Sequence, residues 1–398
     1  MATLLPYVLD WVNLLLRWLH VIVAIAWIGS SFYFVWLDNS LLPPDDPDLI
    51  DKGVSGELWA VHGGGFYNPQ KYWLAPKKLP EHLHWFYWES YSTWLSGFGL
   101  FAVLYLFNAN TFLVDRQVFD MAPAAAVLAA LAFLVIGWLV YDAICRLVGE
   151  RQNGDRTVAV LVLLYVALAT WLACHLFAGR AAFLLIGAMM ATSMSANVFF
   201  WIIPGQRQVV AALQAGQAPD PIHGQRGKQR SVHNTYFTLP VLFTMLSNHY
   251  SMTYTHPYNW AVLLLIMLAS VLIRQFFILR HKGRLNWHYP VAGVALLLIV
   301  AVWLAPRPVS ATAAGPATAP LLMADIKPII DQRCVMCHNA QLASKSIRLD
   351  SVDAIRANAQ LVHQQAVLLR TMPMNNATGI TDTERAALGR WFEAGAKP

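Results

Sequence analysis

Long apolar stretches broken by short polar segments run through the first three-quarters of the chain. With a window of roughly 20 residues, enough to cross about 30 Å of hydrocarbon, eight stretches emerge, at approximately 11–37, 85–107, 121–145, 157–178, 181–203, 235–255, 259–279 and 288–305. The sixth is the most polar, carrying Thr238, Pro240, Thr244, Ser247, Asn248 and His249. A helix surrounded by other helices tolerates such residues. After Leu304 the pattern stops, and Ala305-Pro-Arg-Pro308 opens a run of Ser, Thr, Ala, Gly and Pro that ends at Pro320. Beyond it the apolar positions return at amphipathic helical spacing. The expected architecture is all-α: an eight-helix transmembrane bundle over 1–305, an Ala/Pro-rich linker over 306–322 and a small domain over 323–398.

Composition agrees with this division. Of 398 residues, 57% are hydrophobic and 13% charged, about half the charged fraction of a soluble domain, which excludes a water-soluble globule. The net charge of +6 is too small and dispersed for a nucleic-acid binder. Its distribution reports topology instead, because basic residues in short loops stay on the cytoplasmic side. With the N-terminus outside, the inner loops hold Lys52, Lys71, Lys77 and Lys78; Arg146, Arg151 and Arg156; Arg207, Arg226, Lys228 and Arg230; and Arg280, Lys282 and Arg284. The outer loops hold only Arg116 and Arg180. Seven spans would put basic loops on opposite sides, so eight spans with both termini outside are expected. The first stretch lacks the basic start and small-residue cleavage site of a signal peptide and is expected to remain as helix one. Trp11, Tyr72, Trp73, Trp85, Tyr87, Trp260, Trp287 and Tyr289 cluster near the predicted span ends, as an interfacial belt would.

The tail carries the most specific motif. Cys334-Val-Met-Cys-His338 has the C-x-x-C-H spacing for covalent attachment of haem c: two thiols on one helical turn reach the vinyl groups, and His338 reaches the iron. A zinc site would need further soluble ligands, yet Cys145 and Cys174 lie in predicted membrane helices. A dithiol of thioredoxin type would need a βαβ setting that is absent. Thr371-Met-Pro-Met-Asn375 offers a sixth ligand. Met ligation opposite His raises the potential and suits electron transfer. Met372 is the choice, because Met-Pro resembles the axial loop of small cytochromes c, with Met374 left open. Thr381-Asp-Thr-Glu384 reads as a capping box starting a final helix, completing a class I-like cytochrome c domain. Haem c is attached outside the bacterial cytoplasmic membrane, where the charge count places this tail.

Within the spans, Arg17, Glu89 and Arg274 are functional candidates, with Asp142 near an end, since ionisable groups there are expensive. Ser92, Thr93 and Ser96 follow Glu89 at helical spacing, giving one polar face. His20, His175 and His249 fall in the outer half, and two of them could ligate a haem b. His84, Glu89, His233 and Asn234 lie toward the cytoplasm, and His62 in the long loop 38–84 could join them to bind a polar substrate or a metal. The loop also holds Gly63, Gly64 and Gly65, which read as a plain turn or as a close approach to a ligand.

The passages Arg17-Trp-Leu-His20, Trp27-Ile-Gly-Ser-Ser31, His62-Gly-Gly-Gly-Phe66, His84-Trp85 through Trp88-Glu89, Ser231-Val-His-Asn-Thr-Tyr236 and Ser247-Asn-His-Tyr250, with the haem motif, carry a resemblance. The chain resembles the membrane-bound urate oxidases, also called urate hydroxylases, in which an eight-helix domain is fused to a C-terminal cytochrome c. The resemblance implies oxidation of urate to 5-hydroxyisourate in purine catabolism at the bacterial inner membrane, with the haem c domain in the periplasm. Electrons would pass through haem c to a respiratory acceptor such as a terminal oxidase or a soluble cytochrome. Such chemistry needs a base, a clamp, aromatic stacking and an electron sink. Glu89, His84 or His233 suits the first role and Arg274, Asn234 or Asn248 the second. Two rival classes are a quinol-oxidising respiratory subunit and a transporter with a redox-sensing cytochrome tail. If urate sits near Glu89, most of the bilayer separates it from an outer haem, which is what a membrane haem b would bridge. Purified protein is expected to show one covalent haem per chain in a pyridine haemochrome spectrum, and C334A/C337A none on a denaturing gel.

Overall fold

The computed structural model describes residues 4–397 other than 73–75, 78, 152, 306–320 and 344–345. Trp73 and Lys78, used above for topology, and the linker expected over 306–322, apart from its last two residues, therefore lie outside the described residues. The chain is mostly helical. Helix α1 spans Leu4–Ser40 and is followed by α2 (Pro47–Asp51), which is capped by Asp46 with Pro47 in its first turn. Then come four short strands: β1 (Val54–Glu57), β2 (Ala60–His62), β3 (Gly65–Tyr67) and β4 (Gln70–Tyr72). Antiparallel pairs β1–β4 and β2–β3 nest one hairpin inside the other. The inner turn is Gly63-Gly64, both at positive φ, a two-residue turn that side chains with a Cβ resist. The Gly triplet is thus a turn.

Helix α3 (Trp88–Phe101) continues as a π-helical segment to Leu106, and a short α4 covers Ala109–Phe112. Helix α5 (Pro123–Val148) begins with a proline in its first turn, and α6 covers Gly154–Leu176. Helix α7 (Gly179–Ala196) runs through a π-helical turn, Asn197–Ile202, into α8 (Ile203–Gln214). Helix α9 spans Pro221–Leu246 and is capped by Asp220. It is followed by α10 (Ser251–Tyr254), α11 (Asn259–His281) and α12 (His288–Trp303).

Among the described residues, five helical runs are long and apolar enough to cross a membrane: Tyr7–Ser40, Pro123–Val148, Gly154–Leu176, Gly179–Gln214 and Asn259–His281. His288–Trp303 is apolar but shorter. Two boundaries differ from expectation by more than ten residues. The fifth stretch, expected to end near 203, continues to Gln214, because Pro204 follows a π turn where the hydrogen-bond ladder is already irregular. The sixth begins at Pro221 rather than 235, so Arg226, Lys228 and Arg230, counted as loop charges, are helical. Arg230 is buried.

Small residues set the packing of α7. A Cβ at Gly187 would collide with Thr244 Oγ1 of α9, and one at Gly137 of α5 with Met189 Cγ. Close backbone approach through small residues is how apolar helices gain dispersion contact when burial alone offers little. The core here includes Ala126, Ala130, Leu134, Phe183, Ile186 and Leu263.

The tail forms its own core. Helix α13 (Met323–Arg333) packs on α16 (Asp382–Glu393), with α14 (Val352–Ala357) and α15 (Ala359–Val362) between them in sequence. Ile326, Ile330, Ile355, Leu388 and Trp391 are buried together. Arg333 Nη2 meets Glu384 Oε1 at 3.1 Å, joining the end of α13 to the start of α16. Thr381 and Glu384 form the expected reciprocal cap. Gly187→Val should force α7 from α9, lowering stability by about 1–3 kcal/mol, read from thermal unfolding in detergent.

Candidate functional site

A cleft of about 390 Å³ opens between the C-terminal part of α1, the start of α3, the α7–α8 junction and α9. Helix α1 contributes Trp27, Ser30, Ser31, Phe34 and Asp38 at helical spacing. The approach to α3 contributes His84, Trp85 and Phe86, and its first turn Glu89. Opposite stand Met194, Val198, Ile202 and Gln206, with Ser231, Asn234 and Thr238 one helical turn apart on α9. The α1 and α3 side is therefore aromatic and also carries the carboxylate and imidazole groups, while the opposite side adds amide and hydroxyl groups, the usual make-up of a site for a flat polar ligand. The mouth is braced by Lys71 Nζ on Asp38 Oδ1 at 2.7 Å, which ties β4 to the end of α1. Phe86 packs edge-on against both Phe34 and His84.

Of the residues singled out from sequence, the cleft gathers His84, Glu89 and Asn234. His233 is adjacent to Asn234 but faces away, its Nδ1 2.8 Å from Tyr141 Oη. Arg274 is buried on α11 with its guanidinium 4.1 Å from the centre of the Phe32 ring, and its Nε and Nη2 have no hydrogen-bond partner among the described residues. It stands behind α1 and outside the cleft lining. His62 is exposed on the inner hairpin.

The three outer histidines have separate surroundings, and no contact among the described residues joins any two of them. His20 Nδ1 is 3.0 Å from Ser96 Oγ, with its ring against Gly97, where a Cβ would come within 2.9 Å. His175 is exposed and bonds the Trp171 carbonyl. His249 is exposed at the end of a 3₁₀ turn. Arg17 bonds Asn13 within its own helix.

Sequence reasoning missed the buried network behind the cleft. Asp142 Oδ1 accepts from Trp201 Nε1 at 2.7 Å and Arg230 Nη2 at 2.8 Å, and Arg146 Nε meets Oδ2 at 2.6 Å. Arg230 Nη1 donates to Asn197 Oδ1 at 3.3 Å, and Asn197 Nδ2 donates to Tyr141 Oη and to Asn234 Oδ1, each at 2.9 Å. The guanidinium groups of Arg146 and Arg230 also lie over the Trp201 ring, at 4.8 and 4.9 Å. The available signal was the pairing of Asp142, inside a predicted span, with a basic residue assigned to a loop.

In the tail, Cys334 and Cys337 are both free, and His338 Nδ1 sits 3.2 Å from the Ile347 carbonyl. That bond leaves Nε2 available to a metal and fixes the ring, as ligating imidazoles require. Cys334, Val335, Ile347 and Met372 pack against one apolar core. Two thiols on one turn, an oriented imidazole and a thioether on a shared apolar wall fit a haem c. Burial pushes the Cys334 thiol up to about 11, so it is protonated at neutral pH. Met374 points elsewhere: Arg180 Nη1 at the start of α7 is 3.9 Å from its sulfur. Arg180 Nε and Tyr105 Oη both donate to Asn248 Oδ1, at 3.0 and 3.1 Å.

These features define a mostly helical protein with several helices suited to a bilayer and a polar, aromatic-walled cleft between them. A family model described as Urate oxidase N-terminal matches residues 6–305, and the chain belongs to that family. No curated protein and no solved structure matches the chain. The match supports an oxidoreductase acting on urate. D142L should leave Arg230 buried without a counter-charge and destabilise the protein by about 3–5 kcal/mol, read from the detergent unfolding midpoint.

Proposed function

We propose that the chain is a membrane-bound oxidase that hydroxylates urate to 5-hydroxyisourate and passes the electrons outward through its C-terminal domain. In this reading, 1–305 is an eight-span body in a bacterial inner membrane. Residues 306–322 form a tether, and 323–398 a periplasmic cytochrome c domain. The observation that carries it is the convergence of Glu89, His84 and Asn234 on one aromatic-walled cleft, inside the segment the family model covers.

The overall change adds one water to neutral urate and releases two electrons and two protons. Glu89 is placed to take a proton from the attacking water as a general base. His84 stands beside it on the same cleft. Trp27, Phe34 and Trp85 give the flat apolar walls that a purine stacks on. Asn234, Ser31 and Gln206 supply hydrogen bonds to its edge.

Cys334, Cys337, His338 and Met372 would hold the haem, which when bound supplies a one-electron acceptor. The Met374 contact with Arg180 sets the axial-ligand loop on the body at the start of α7. Met194, where the cleft begins, lies roughly 20 Å further along that helix by its rise per residue. Trp94 and Phe98 stack at 5.3 Å on α3, Phe101 and Tyr105 stack at 5.8 Å further along, and Tyr105 meets Phe112 beside Arg180. These rings line the interval along α7.

Anaerobic addition of urate to the purified haem-loaded protein should bring up a reduced c-type spectrum. Glu89→Gln should slow that reduction by roughly 10²–10⁴, while dithionite still reduces the haem fully. Reduction by a quinol and not by urate would refute the proposal.

A further inference from the structure

The hydrogen-bond chain that ends on the cleft begins at a group that can only donate. A guanidinium has five N–H groups and no acceptor. Arg230 is held in place by Asp142, with the side chains of the pair 3% and 6% exposed. Its Nη1 meets the side-chain amide of Asn197, which is fully buried, so that amide must turn its oxygen toward the arginine. Asn197 then has only its NH₂ left for its other two partners. One N–H goes to Tyr141 Oη and the other to Asn234 Oδ1. With its oxygen engaged by Asn197, Asn234 turns its own NH₂ outward. One N–H donates to the Met194 carbonyl at 3.1 Å, and the second remains for the cleft that Asn234 lines.

The orientation of both amides thus follows from two fixed groups, the arginine at one end and the Met194 carbonyl at the other. Flipping Asn234 would set two carbonyl oxygens against each other at Met194 and two NH₂ groups against each other at Asn197. Each clash would leave buried polar groups unpaired, at about 1–3 kcal/mol apiece.

We infer that Arg230, anchored by Asp142 and acting through Asn197, fixes Asn234 as an N–H donor into the cleft, which selects an oxo-bearing purine edge over an amino-bearing one. This rests on the reading of the cleft as the urate site. Urate carries carbonyl oxygens at three positions of its rings, whereas 8-oxoguanine replaces one of them with an amino group. A site built to hydrogen-bond one partner rejects an analogue that leaves its buried donor unmet. Asp142, Arg230 and Asn197 are positioning residues and touch no substrate.

The test is calorimetric binding of urate and of 8-oxoguanine to the full-length haem-loaded protein in detergent, without oxygen. Wild type should prefer urate at least tenfold. In Asn197→Asp, the carboxylate accepts from both Arg230 and Asn234, a charge-assisted bond that outweighs the neutral one Asn234 gives up at the Met194 carbonyl, so Asn234 turns its N–H groups inward and its oxygen outward. The preference should fall at least tenfold. Asn234→Asp removes the donor, and with it the bond to the Met194 carbonyl, while the Asp142–Arg230–Asn197 chain behind it stays in place, and should lose urate affinity by a similar factor. It also keeps the inference testable if Asn197→Asp does not fold.

A folded Asn197→Asp that retains the wild-type ratio overturns the inference, as does an Asn234→Asp that retains urate affinity. The two proposals separate cleanly. Wild type that shows the preference yet is not reduced by urate supports the donor assignment and refutes the oxidase. Wild type that binds neither purine refutes both.

Discussion

The Asp142 carboxylate holds the rest of the site in register. It is buried among apolar helices, where an unpaired charge would be prohibitively expensive, and it collects three donors from three places in the chain. Arg146 comes from the next turn of α5, Trp201 from the π turn between α7 and α8, and Arg230 from α9. Satisfying that one charge brings α5, the α7–α8 junction and α9 together at one level. Asn234 follows Arg230 by one turn of α9, so the level at which the ion pair forms decides where the cleft's amide stands. The π turn belongs to the same arrangement, since it presents both Trp201 and Asn197 to the pair.

The molecule separates two tasks along the length of α7. The cleft lies at its C-terminal end and the contact with the tail at its N-terminal end, where Arg180 reaches Met374. This division gives the two methionines of the Met372–Met374 loop different work. Met372 packs inward with Cys334 and Val335, while Met374 faces the body. The loop thus carries an inward thioether and an outward contact two residues apart.

Much of the helical plan was legible from sequence because it rests on local physics. Apolar runs of the right length, the Thr381–Glu384 cap and the Gly63-Gly64 turn each depend on residues close together in the chain. The polar face of α3 beginning at Glu89 was legible for the same reason. Arg230 was misread as a loop charge because charge alone does not say whether a partner waits in another helix. Arg274 had the composition of an anion clamp, yet it stands behind α1 against Phe32, because the rotation of α11 is set by its packing on α12, where a Cβ at Gly293 would lie 2.9 Å from Ile273 Cγ1, and by no local signal.

By itself, then, the sequence determined the helices, the division at about residue 305 in composition, the thiol and imidazole spacing in the tail, and which side chains were candidates. Only the tertiary structure decided which candidates meet: His84, Glu89 and Asn234 on the cleft, with His233 turned from it toward Tyr141. The reason is that helix periodicity assigns side chains to faces, whereas the partner of each face follows from interhelical contacts and buried hydrogen bonds. Asp142 and Arg230 are 88 residues apart in the chain and 2.8 Å apart in space.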